Sequence, residues 1–142
     1  MPGRKAKRES PRSEDYLEAV YNLIQEKGYA TTSDISEKLS VKPPTVSIMV
    51  GKLASHGYLL HEPYKGMRLT ETGERVARSV VKRHEIISEF LSMLGVEGKI
   101  AYEDTEGIEH HVQPMTIYRL EALVEYLREH PQHLAEIRKH GR

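Results

Sequence analysis

Residues 105–111 read TEGIEHH, which places two carboxylates and two imidazoles next to one another. On a helix, Glu106, Glu109 and His110 occupy positions i, i+3 and i+4 and share one face, while His111 turns away. Carboxylate oxygens and imidazole nitrogens are ligands of divalent cations. The spacing therefore predicts three converging metal ligands. Spacing alone leaves one alternative open, a solvated acidic helix whose histidines hold nothing.

Three further side chains with the same chemistry lie in distant segments. Asp15 and Glu18 have i, i+3 spacing, and His84 lies in a long central segment. If the three segments pack together, six ligands surround one pocket, and their four carboxylates supply a charge of −4 that two divalent cations would neutralise. The chain has no cysteine, so the ligand atoms are nitrogen and oxygen, which favours Mn²⁺ over thiolate-rich zinc sites. Ligand type alone does not select the metal, because affinity normally rises from Mn²⁺ toward Cu²⁺.

Periodicity predicts the elements that position these residues, in a fold that is mainly α. Residues 13–70 read as three helices followed by a two-stranded hairpin, with Ser13 capping the first helix and Thr32 or Ser33 the second. Three helices and a hairpin describe a winged helix-turn-helix domain. Residues 71–142 carry only helical patterns, and we expect an all-helical domain there.

A winged helix places the second helix of its turn motif in the major groove of DNA. In this chain that helix covers about residues 43–56, and its early residues would face base edges. Hydroxyl side chains can contact bases or phosphates, whereas lysine chiefly contacts phosphate. The predicted DNA contacts are Lys42, Thr45, Ser47 and Lys52, with Lys65 and Arg68 from the hairpin. For any one of them, an ordinary solvated surface position is the alternative.

Charge is segregated although the total is zero, with 21 basic and 21 acidic residues. Residues 1–12 hold five basic side chains against one acidic one, and we expect a disordered basic tail. No apolar run approaches the roughly 20 residues that span a bilayer, and no signal-peptide core follows the basic start. We therefore expect a cytoplasmic protein without a membrane partner.

Several stretches resemble one known family. They are SEDYLEAVYNLIQEKGYATTSDIS, VKPPTVSIMVGKL, YKGMRLTETGE, and YRLEALV preceded by DTEGIEHHV. Together they resemble the DtxR/MntR family of metal-dependent repressors, and within it the manganese-transport regulators, over about residues 13–130. The resemblance implies a homodimer of winged-helix units joined through a helical dimerisation domain. It also implies two Mn²⁺ ions per subunit, operator DNA as a partner and no organic cofactor.

The resemblance also implies a ligand set. The matching positions are Asp15 and Glu18 in DYLE, His84 in RHE, and Glu106, Glu109 and His110 in EGIEH. Iron-responsive relatives tend to carry methionine at the position of Asp15 and cysteine at that of Glu106, so two carboxylates favour manganese. The iron regulators often add a C-terminal SH3-like domain. We expect none here, because the chain ends too early to hold one.

The expected function is that of a manganese-responsive transcriptional repressor of uptake genes, and not of an enzyme. Two alternatives stay open at this point. One is a winged-helix regulator that senses iron or a non-metal ligand. The other is a di-metal carboxylate enzyme of the ferritin-like kind, although such bundles use paired Glu-x-x-His motifs that this chain lacks.

Overall fold

The computed structural model describes residues 9–62 and 66–141. This part of the chain contains seven helices and two strands: α1 (Pro11–Lys27), α2 (Thr32–Leu39), α3 (Pro43–Ser55), β1 (Leu59–Glu62), β2 (Gly66–Leu69), α4 (Glu71–Met93), α5 (Gly98–Glu109), α6 (Pro114–Glu129) and α7 (Pro131–Lys139). It divides into two compact units, and the division falls within α4 between Ser79 and Val80. Lys65 and residues 1–8 of the predicted tail lie outside the described residues.

The first unit is the predicted winged helix-turn-helix. Apolar side chains from all three helices are fully buried in one core, among them Leu17 of α1, Ile35 of α2 and Leu53 of α3. The strands β1 and β2 pair antiparallel, with Leu59 opposite Leu69. The expected order of three helices and a hairpin is therefore confirmed.

The first helix begins earlier than predicted, and its cap is Ser10 rather than Ser13. The Ser10 hydroxyl accepts a hydrogen bond from the Ser13 backbone N–H at 3.2 Å. Pro11 follows in the first turn, where its fixed φ suits a helix and its missing N–H costs nothing. Ser13 is buried inside the helix. Pro11 and Arg12, which were assigned to the tail, instead form the start of α1.

The cap of α2 is Thr31, not Thr32 or Ser33 as predicted. The Thr31 hydroxyl accepts from the Asp34 N–H at 3.1 Å, and the Asp34 carboxylate accepts from the Thr31 N–H at 3.0 Å. This reciprocal pair is a capping box. Thr31 is the cap because, of the three neighbouring hydroxyl residues, it alone has an acidic residue three positions later. A hydrogen bond of 2.8 Å from the Lys27 ammonium lowers the pKa of Asp34.

Tyr58 and Thr70, which lie just before and just after the hairpin, anchor it to the neighbouring chain. Its hydroxyl donates a hydrogen bond to the Glu9 carboxylate, which raises the pKa of Tyr58 to about 12. Glu9 was also assigned to the tail, so the fold extends to this residue. The Thr70 hydroxyl donates to the Gly57 carbonyl at 2.6 Å and accepts from the Gly73 N–H at 3.0 Å. These contacts fix the start of α4 against the base of the wing.

The second unit is all-helical within the described residues, as predicted. Ile86, Ile87 and Leu91 of α4 pack with Ile117 and Val124 of α6 in its core. The pairing of α4 with α6 is reinforced by the Arg128 guanidinium, which donates to both Glu89 carboxylate oxygens at 2.6 Å. The Arg138 side chain of α7 donates to the Met93 carbonyl at 2.7 Å and so satisfies the end of α4. Across the described residues, no helix combines the length and the apolar character that crossing a membrane requires.

Candidate metal centre

Glu109, the last residue of α5, lies fully buried between two imidazoles of its own unit. Its Oε2 lies 2.7 Å from Nδ1 of His84, and its Oε1 lies 3.3 Å from Nε2 of His110. The Oε1 of Glu106, one turn earlier on α5, lies 3.7 Å from the same His84 nitrogen. Each oxygen of Glu109 therefore faces a different histidine.

Local structure explains how α4 and α5 present these groups. His84 lies in the middle of α4, where the neighbouring Val80 and Ile87 at i−4 and i+3 are buried. His110 caps α5 with helical backbone angles, φ −88° and ψ −8°, so the helical spacing from Glu106 extends through it. The predicted shared face of Glu106, Glu109 and His110 follows from that geometry.

The donor atoms form two overlapping groups. Glu106, Glu109 and His110 each offer a ligand atom within 4.8 Å of the others, and His84 and Glu109 offer atoms within the same limit. Glu109 belongs to both groups. The donors are carboxylate oxygen and imidazole nitrogen without sulfur, which fits a hard or borderline divalent cation. Burying a carboxylate is costly unless positive charge accompanies it, and a divalent cation bound at Glu109 would supply that charge.

The predicted reading surface lies in the first unit, on α3. Lys42, at the helix N-cap, and Thr45, Ser47 and Lys52 in the helix are all exposed. Arg68 of β2 is also exposed and forms an ion pair of 3.3 Å with Glu62 across the hairpin. Sequence reasoning missed an exposed large apolar side chain on α3.

The missed residue is Ile48, whose side chain is 76% exposed. A signal for it was present in the sequence. The buried face of α3 is fully accounted for by Val46, Met49, Val50 and Leu53, which leaves Ile48 outside the apolar stripe.

The family model described as "Iron dependent repressor, N-terminal DNA binding domain" matches residues 10–67. The model described as "Iron dependent repressor, metal binding and dimerisation domain" matches residues 70–138. The HTH-type transcriptional regulator MntR of Lysinibacillus sphaericus is 47% identical over 122 residues, which cover 86% of this chain and 88% of the relative.

The chain belongs to the DtxR/MntR family of metal-dependent transcriptional repressors. The HTH-type transcriptional regulator MntR of Bacillus subtilis is 46% identical over 120 residues, or 84% of each chain. Among solved structures, the manganese regulator SloR is similar with a TM-score of 0.72 and 32% identity. The match covers 80% of this chain and 54% of SloR, so the chain spans about half of that structure.

Membership of the DtxR/MntR family confirms two expectations. The winged helix-turn-helix is the family's DNA-binding domain, and the helical unit corresponds to its metal-binding and dimerisation domain. Members of this family are transcriptional regulators, so the chain is not an enzyme and the di-metal carboxylate enzyme is set aside.

Asp15 and Glu18, the carboxylates of the DYLE stretch, belong to the first unit. They lie one turn apart on α1 and both are half-buried. Their role as ligands stays a prediction, as does the role of each residue of the reading surface.

Proposed function

We propose that the chain is a manganese-responsive repressor that binds operator DNA as a metal-activated homodimer and represses genes of manganese uptake. The observation that carries the proposal is the Glu109 carboxylate, buried between two histidines in a unit whose family model is named for metal binding. The relatives named MntR and the solved manganese regulator support manganese as the metal. Because its partner is chromosomal DNA, the protein works in the cytoplasm.

The site holds two Mn²⁺ ions per subunit, with Glu109 as a ligand common to both. A carboxylate has two oxygens that can serve different ions, and the oxygens of Glu109 face different imidazoles. On this assignment His110 and Glu106 belong to one ion and His84 to the other. Manganese supplies positive charge and prefers oxygen and imidazole donors, both of which the cluster provides.

Asp15 and Glu18 complete the two sets of ligands. This assignment rests on the family's first-helix motif, which the DYLE stretch matches. Both carboxylates have the spacing that places them on one face of α1, in the DNA-binding unit. Ligands drawn from both units and held by common ions restrict how the two units are arranged. DNA affinity then depends on metal, and by linkage metal affinity depends on DNA to the same degree.

The DNA contacts are those predicted from α3 and the hairpin. Thr45 and Ser47 face base edges, while Lys42, Lys52 and Arg68 neutralise phosphates, together with Lys65. A two-fold symmetric dimer presents two copies of α3, and a palindromic operator requires them about 34–36 Å apart. Metal binding favours the arrangement in which this separation is met.

A second copy of the chain covers apolar side chains that the helical unit exposes. Ile100 of α5 and Met115 and Tyr118 of α6 are each 65–66% exposed. Apolar area of this kind is typical of the interface of a stable homodimer. The family model for residues 70–138 is named for dimerisation, which supports this choice of partner.

Electrophoretic mobility of DNA from upstream of uptake genes tests the function. We expect a retarded complex with Mn²⁺ that disappears when the ion is chelated. Retardation that is indifferent to chelation would overturn metal sensing and point to a regulator of another ligand. Replacing Mn²⁺ by Fe²⁺ at equal free concentration tests the iron alternative.

A further inference from the structure

The outward face of α3 has an apolar centre. Taking about 100° per residue, the four buried side chains of α3 cluster around one direction, and Ile48 points about 150° away from it. Thr45 and Ser47 point only about 90–110° away on either side. Ile48 therefore lies between the two hydroxyl residues that are assigned to base edges, and nearer the middle of the exposed arc than either of them.

The stability of the fold does not explain an isoleucine at position 48. Its side chain is 76% exposed, so the described chain buries little of it. Isoleucine also has a lower helix propensity than alanine, leucine or lysine. A single exposed apolar residue is ordinary on a protein surface. This one, however, lies near the middle of the exposed arc of a helix that also carries the exposed Lys52 and has the exposed Lys42 at its N-cap.

Gly51, one turn after Ile48, adds an independent observation. It lies inside α3, and a Cβ added there would meet nothing within 4 Å. A glycine in a helix interior costs roughly 1 kcal/mol relative to alanine, and the fold has no steric need for this one. Its bare backbone lies on the same exposed arc and permits close approach of another molecule.

We infer that Ile48 reads thymine through the C5-methyl group in the major groove, with Gly51 allowing α3 to approach closely. The thymine methyl is the one apolar group that base pairs present in this groove, and apolar side chains recognise it by contact. The exposed lysines of α3 and its N-cap, Lys52 and Lys42, favour a polyanion over an apolar protein partner. The inference rests on the proposed DNA binding and assigns it a specificity-determining residue.

The test is a double-mutant cycle between Ile48 and the methyl group. An operator duplex is first selected from random DNA with the full-length, Mn²⁺-loaded protein. Each thymine is then replaced by deoxyuridine, which removes only the methyl group. Affinities are measured by fluorescence anisotropy at fixed salt for the unmodified protein, for Ile48→Ala and for the control Ile137→Ala. Ile137 is also an exposed helical isoleucine, but it lies on α7, outside the DNA-binding unit.

For the unmodified protein we expect one or two positions in each half-site where loss of the methyl lowers affinity about fourfold, the equivalent of one buried methyl group. Ile48→Ala should bind both duplexes equally, while Ile137→Ala keeps the fourfold difference. An equal methyl dependence in Ile48→Ala and the unmodified protein overturns the inference, as does a selected site without methyl-sensitive thymine. Failure of the unmodified protein to select any DNA with Mn²⁺ overturns the proposed function instead.

Discussion

Replacing Glu109 by glutamine should weaken the binding of both proposed manganese ions at once. The substitution keeps the buried volume and removes one negative charge from a cluster whose ligand atoms lie within 4.8 Å of one another. A unit charge about 4 Å from a doubly charged ion is worth about 2 kcal/mol at the permittivity of water and more in a buried site. Affinity for each ion should therefore fall at least about 30-fold.

The measurement is equilibrium dialysis against Mn²⁺, with bound metal counted per chain. Glu103→Gln is the matched control, because Glu103 lies one turn from Glu106 on the same helix but is exposed and pairs with Lys99. The control should bind manganese as the unmodified protein does. His84→Ala should weaken the binding of one of the two Mn²⁺ ions and leave the affinity for the other unchanged.

Loss of only one ion from the Glu109→Gln protein would refute the proposal that both ions share this carboxylate. Retention of both ions at the original affinity would refute the site itself. Thermal unfolding followed by circular dichroism accompanies each variant, so that loss of metal is not confused with loss of fold. Glutamine has nearly the same volume as glutamate, so the substitution can remove metal binding without disrupting the packing.

Three further outcomes follow from the first unit. Thr31→Ala removes the cap of α2 and should lower the free energy of unfolding in urea by about 1 kcal/mol. Lys27 holds the pKa of Asp34 below its ordinary 3.8, so Asp34 stabilises the fold above that pH and ceases to do so as pH falls through the lowered value. The stability gap between the unmodified protein and Asp34→Asn, measured by unfolding from pH 6 downward, should therefore narrow as pH falls below 3.8 and close only below the lowered pKa; a gap that is constant with pH would contradict this. Gly73→Ala places a Cβ 2.0 Å from the Tyr58 carbonyl oxygen and should destabilise the unit by about 1–3 kcal/mol, whereas unchanged urea unfolding would show that the close approach is not maintained.

Helix and strand types were predictable because each depends on a local period. The apolar side chains of α1 and α3 recur at helical spacing, and the two strands of the hairpin flank residues 63–65. Helix starts were less predictable, since each offers more than one hydroxyl residue: Ser10 and Ser13 at α1, and the consecutive Thr31, Thr32 and Ser33 at α2. The choice was made by Pro11 in one case and by the acidic residue three positions on in the other.

The candidate site was predictable only in part. Spacing along α5 was sufficient to group Glu106, Glu109 and His110, because helix geometry alone brings them together. That His84 would lie 2.7 Å from Glu109 depends on how α4 packs beside α5, which no local pattern encodes. Ile48 was missed for a different reason: it lies outside the apolar stripe of α3, but only hydroxyl and basic side chains were considered as DNA contacts.

The dependence of Mn²⁺ affinity on operator DNA tests the central claim most directly. Titration of the full-length protein with Mn²⁺ at fixed salt, with and without saturating operator duplex, gives the coupling between the two sites. The account predicts that DNA tightens manganese binding about 5–150-fold, by the same factor as manganese tightens DNA binding. Equal Mn²⁺ affinity with and without the operator would contradict it.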